Sequence, residues 1–134
     1  MSARSRKRLV GGAVAVIILA FAAMVLPMLA VSTSDTPRDI NIVVREMAFY
    51  VDNGVEANPV ITLHAGERVR VRLRNEDAGM RHDFTIKAWT VATKMLEEGG
   101  EEDTVEFQVP DHRGTQTYQC TPHPKMMTGI VRVE

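Results

Sequence analysis

The chain has 134 residues, room for one ordinary domain and little more. Its formal charge of −1, from 16 basic and 17 acidic residues, hides an asymmetry, because four of the basic residues lie before position 9. From Pro37 onward 12 Lys and Arg stand against 16 Asp and Glu, a formal charge of −4 that speaks against a nucleic-acid partner, and the single cysteine excludes an internal disulfide.

Arg4, Arg6, Lys7 and Arg8 make residues 1–8 a basic tail. An uncharged run of 23 residues follows, Leu9 to Val31, interrupted only by Gly11, Gly12 and Pro27. At about 1.5 Å per helical residue this run is long enough to cross a bilayer core of roughly 30 Å. It carries no polar stripe, which a buried soluble helix of that length would show. The basic flank predicts a cytoplasmic N-terminus and an exported C-terminal part. We therefore expect a transmembrane signal-anchor helix over 9–31, holding the rest of the chain on the extracytoplasmic side of a cell membrane. The competing reading is a cleaved signal peptide, which has a shorter apolar core and small residues at the cut. Ala30 suits such a site, but Met28 is a poor partner for it. Residues 32–37, Ser-Thr-Ser-Asp-Thr-Pro, form a short polar linker.

The segment 38–134 reads as strands. Val69, Val71 and Leu73 alternate with Arg68, Arg70, Arg72 and Arg74, giving one apolar and one charged face. Val105, Phe107 and Val109 alternate in the same way with Thr104, Glu106 and Gln108, and Val131 and Val133 flank Arg132. Further strands are expected at 40–44, 60–63, 83–86 and 115–119. Turn signals lie at 65–67, 99–100 and 110–114. Residues 88–98 are expected to hold a short helix or turn. Short strands at this spacing indicate an all-β antiparallel sandwich or barrel.

The last seventeen residues carry the chemistry. Cys120 lies three positions before His123, in Cys-Thr-Pro-His-Pro, with Met126 and Met127 just beyond. A thiolate, an imidazole and a thioether are a soft donor set that suits copper rather than calcium or magnesium. A second imidazole is available upstream in His82, which precedes Asp83-Phe84-Thr85-Ile86. A free thiol outside the cytoplasm is prone to oxidation, and metal ligation removes that problem.

These two motifs resemble the cupredoxins, the family of plastocyanin, amicyanin, pseudoazurin and azurin. The likeness covers roughly residues 38–134. It implies a Greek-key β-sandwich or barrel holding one type 1, or blue, copper ion with His82, Cys120, His123 and a methionine as ligands. Met126 fits the His-x-x-Met spacing of amicyanin. Met127 fits the Met-x-Gly pattern ending at Gly129 and shares strand parity with Gly129, Val131 and Val133. We choose Met127. The family implies that His123 reaches the surface through an apolar patch, here Pro122, Pro124 and the unused methionine with Ala78, Gly79 and Met80, and that its ring edge is the electron exit. The residue after the first histidine is usually Asn in this family, bonded to the Ser or Thr after the cysteine. Here it is Asp83, with Thr121 as the expected partner through its hydroxyl.

His64 and His112 sit in turns and are expected to be solvated. Trp89 is expected to pack, and the acidic residues Glu97, Glu98, Glu101, Glu102 and Asp103 to form a solvated loop or, less favoured, a docking patch. The function implied is single-electron transfer without catalysis, with a c-type cytochrome or a membrane-bound oxidoreductase as partner. The binuclear centre of oxidase subunits needs a second cysteine in the loop. A nitrite reductase would need further domains. The alternative is a copper carrier or storage protein, and a more distant one is a fold that has lost its metal.

Overall fold

The computed structural model describes residues 36–134. The expected basic tail, the transmembrane helix at 9–31 and all but the end of the linker lie outside the described residues. Among the described residues no helix is long and apolar enough to cross a membrane.

Nine strands form the domain: β1 Arg38–Arg45, β2 Ala48–Val51, β3 Ile61–Leu63, β4 Arg68–Asn75, β5 Thr85–Ile86, β6 Val91–Ala92, β7 Glu102–Gln108, β8 Gly114–Gln119 and β9 Thr128–Val133. One sheet has the order β2-β1-β4-β7 and the other β3-β9-β8-β5-β6. The expectation of a purely antiparallel arrangement is corrected at two places, because β1 pairs with β4 and β3 with β9 in parallel. Alternation of side chains fixes which face is apolar but carries no information on strand direction.

The inner faces follow the sequence pattern. Ile40, Ile42 and Val44 of β1 and Val69, Val71 and Leu73 of β4 meet Ile61, Leu63, Val131, Val133 and Ile86 of the other sheet in one buried cluster. Burial of each such side chain contributes about 1.5–3 kcal/mol. Phe49, Phe84 and Tyr118 form its aromatic centre, with ring centroids 5.4–5.8 Å apart. The Tyr118 hydroxyl, buried among them, donates to Pro59 O at 2.7 Å.

The outer face of β4 is an ion-pair ladder. Arg70 contacts Asp39 at 3.3 Å and Glu106 at 2.7 Å, Arg72 contacts Asp39 at 3.4 Å, and Arg74 contacts Glu76 at 3.4 Å and Glu102 at 3.0 Å. The arginine run therefore serves a balanced exposed sheet face. Each exposed pair contributes little, about 0–1 kcal/mol.

β2 was not expected. Its hairpin with β1 turns through Glu46 (φ 52°) and Met47 (φ 60°), both left-handed, although neither is Gly or Asn. A two-residue turn with both centres left-handed usually carries Asn-Gly, so Glu46-Met47 is no hairpin signal. Residues 88–98 contain the end of a single 3-10 turn, Lys87–Trp89, and the edge strand β6. Trp89 packs on Phe107 with centroids 6.0 Å apart.

Candidate metal centre

The loop between β8 and β9 is closed by its own backbone. The Cys120 N–H donates to Met127 O at 3.0 Å and the His123 N–H to Cys120 O at 3.3 Å. The N–H groups of Met126 and Met127 both donate to His123 O, at 3.2 and 2.9 Å. Asn58 ties this loop to β2: its Nδ2 donates to Met126 O at 3.0 Å while its Oδ1 accepts the Phe49 N–H at 3.0 Å. A single polar side chain thus anchors the loop from outside, and two prolines, Pro122 and Pro124, restrict its φ angles.

His82 is held from the other side. It exchanges backbone bonds with Leu96, N–H to O at 3.0 Å and the reverse at 2.8 Å. The segment leading to it is pinned by Asn75, which is fully buried at the end of β4. The Asn75 Nδ2 donates to Met80 O at 2.8 Å and Glu98 O at 3.3 Å, and its Oδ1 accepts the Asp77 N–H at 3.0 Å.

These supports bring three donors together. The Cys120 Sγ lies 3.6 Å from Nδ1 of His82 and 3.6 Å from Nδ1 of His123, and all three atoms lie within 4.8 Å of one another. Nitrogen and sulfur donors about 2.0 and 2.3 Å from a shared ion are separated by roughly 3.5–3.8 Å at tetrahedral to trigonal angles. The spacing fits one metal ion. His82 and Cys120 are buried, and His123 is half-buried. Met127 is fully buried, whereas Met126 is 61% exposed. His64 and His112 are exposed and stand outside the cluster.

The electrostatics favour a neutral, metal-ready histidine. Burial pushes the His82 pKa down, overcoming the opposing pull of Asp77. Burial also pushes the Cys120 thiol up, to about 11, with the Asp83 charge adding to the rise while the backbone N–H groups of Asp83 and His123 oppose it. The thiol is thus protonated at neutral pH and must lose its proton when it ligates a metal.

The brace between the two motifs joins the expected residues through a different atom. Asp83 Oδ1 accepts the backbone N–H of Thr121, at 2.5 Å, in place of the hydroxyl. Thr121 is exposed, and Asp83 is 6% exposed. The acidic cluster makes local contacts. Glu97 contacts Arg81 at 3.7 Å, Glu102 pairs with Arg74, and Asp103 accepts the Lys94 N–H at 2.8 Å.

A model of the copper-binding proteins of the plastocyanin/azurin family matches residues 36–134. The chain belongs to this family. The donor set of this cupredoxin, two imidazoles and a thiolate with a buried thioether in the same loop, is consistent with one type 1 copper ion. Auracyanin from Roseiflexus castenholzii is 20% identical, with a TM-score of 0.59 over 74% of this chain and 98% of that one. Auracyanin A of Chloroflexus aurantiacus, a "blue" copper protein, is 21% identical, with a TM-score of 0.56 over 74% and 100%. McoA multicopper oxidase of Aquifex aeolicus is 18% identical, with a TM-score of 0.58 over 72% of this chain but only 26% of that one. At these identities the likeness is one of fold. No curated protein matches the chain.

Asn58, which holds the loop, and Asp77, which stands beside His82 with Oδ2 at 3.3 Å from Nε2, carry no sequence motif. Both are single polar residues in irregular segments, and only their turn-forming residue type hinted at a role.

Proposed function

We propose that this cupredoxin is a membrane-tethered carrier of single electrons, with copper held by His82, Cys120, His123 and Met127. The observation that carries the reading is the convergence of three donors within 4.8 Å on a scaffold that fixes them from both sides. Bound copper supplies a one-electron Cu(I)/Cu(II) couple. The chain's residues do the rest. The self-bonded loop and the Leu96 pairing restrict how far the donors move between oxidation states. Full burial of His82, Cys120 and Met127 excludes water. Met127 points inward with β9, and Met126 is left at the surface.

His123 opens the site outward. Pro122, His123, Pro124, Lys125 and Met126 line a shallow depression of about 340 Å³. Its apolar rim suits brief contact with a redox protein, for which we propose a c-type cytochrome or membrane-bound oxidoreductase. Ala78, Gly79 and Met80 are exposed on the neighbouring loop and extend the same contact face. The uncharged run 9–31 with its basic flank supports the tether and an extracytoplasmic copper domain.

A second reading, a copper carrier, is favoured by the exposed Met126 thioether beside His123. Voltammetry of the copper-loaded full chain separates the two. Electron transfer requires a reversible one-electron wave, whereas rapid loss of copper to a chelator with no reversible wave supports the carrier.

A further inference from the structure

His82 has two ring nitrogens with opposite needs. Nδ1 faces the Cys120 sulfur, at 3.6 Å, and must keep its lone pair to bind a metal. Nε2 then carries the hydrogen. It is buried and has no hydrogen-bond partner among the described residues, an arrangement that costs about 1–3 kcal/mol. One carboxylate stands beside it. Asp77 Oδ2 lies 3.3 Å from Nε2, off the line of a good hydrogen bond.

Asp77 is itself aimed. Its Oδ1 accepts the Glu46 N–H at 2.7 Å, and Oδ2 accepts the Met47 N–H at 3.0 Å. These are the two left-handed residues of the β1–β2 turn. Left-handed backbone costs non-glycine residues about 1–2 kcal/mol each, and the carboxylate offsets this by satisfying both turn amides. The Asp77 N–H is bound in turn by buried Asn75. A hairpin turn, a carboxylate and a buried histidine are thereby linked in series.

We propose that Asp77 is a positioning residue for His82: its carboxylate takes the Nε2 hydrogen, locks the tautomer that leaves Nδ1 free for the metal, and is oriented by the Glu46–Met47 turn. A slight tilt of the ring completes the bond. Carboxylate partners of this kind orient a metal-binding histidine and raise its basicity. The proposal rests on the copper reading for its effect on affinity, but not for its effect on the tautomer.

The test must separate His82 positioning from turn capping. Glu46→Asn with Met47→Gly supplies the residues such a turn prefers, so the hairpin no longer depends on Asp77. In that background Asp77→Ala is made in the full chain, alongside Asp77→Asn in the native background, which keeps an oxygen for a turn amide. Nitrogen NMR of the metal-free protein reads the His82 tautomer, and chelator competition reads Cu(I) affinity. We expect Asp77→Ala to retain the fold, lose the single Nε2–H tautomer and bind Cu(I) about 10- to 100-fold more weakly, with a smaller loss for Asp77→Asn. Unchanged tautomer and affinity in Asp77→Ala would overturn the proposal and leave Asp77 as a turn cap. A parent that binds no copper, yet shows the tautomer change on substitution, would sink the copper reading while upholding the positioning role.

Discussion

Tyr118 and Gly129 are register partners across β8 and β9, and the Tyr118 ring fills the space that a side chain at 129 would need. Gly129 is therefore required for room rather than for an unusual backbone angle. Tyr118 in turn lies two residues before Cys120, and Gly129 two residues after Met127, so one close contact seats both ends of the ligand loop.

Gly129→Ala should consequently destabilise the fold by about 1–3 kcal/mol through overpacking. Chemical denaturation of the metal-free full chain measures this as a lower midpoint at unchanged slope. Wild-type stability would mean that the ring moves aside freely and does not seat the loop.

The two methionines should separate cleanly. Met127→Leu conserves volume and should cost less than about 1.5 kcal/mol of stability, while raising the reduction potential through loss of a donor to copper(II). Met126→Leu, at an exposed position, should leave the potential in place. The reverse pattern would move the axial ligand to Met126.

Copper uptake should tighten as pH rises. The Cys120 thiol, pushed up to about 11, is protonated in the metal-free protein at neutral pH, and binding releases its proton. His82, whose pKa is lowered, adds no proton near neutrality. Apparent Cu(I) affinity should rise about tenfold per pH unit between pH 7 and 9, as read by chelator competition. The linkage for the metal-free fold runs the other way. A raised folded pKa stabilises the fold below the thiol's ordinary value of 9.0, and that contribution is lost as pH climbs toward 11.

Placement is tested by fractionating cells that express the full chain and sequencing the mature N-terminus. A membrane-bound product retaining residues 9–31, with the domain accessible from outside the cytoplasm, is the expected result. A soluble product beginning near Val31 would identify a cleaved signal and a diffusible carrier.

The candidate donors were legible because each has a side chain suited to metal chemistry, and Cys120, His123 and the two methionines lie within eight positions. Strands β4, β7 and β9 were equally readable, since one face of each is apolar. Elements whose cause lies elsewhere in the chain were not. The β2 hairpin turns through Glu46 and Met47, whose amides are held by Asp77, some thirty residues on. The parallel pairing of β1 with β4 is set by how the chain crosses between sheets, which no local pattern encodes. Asp83 and Thr121 do pair, but the bonding atom is a backbone N–H, which residue identity does not reveal.

The optical spectrum of the copper(II)-loaded full chain tests the central claim most directly. Joint ligation by His82, Cys120 and His123 should give an intense thiolate-to-copper band in the visible. The band should vanish on reduction, return on reoxidation and be absent in Cys120→Ser. A colourless protein carrying one equivalent of copper(II) would contradict the account.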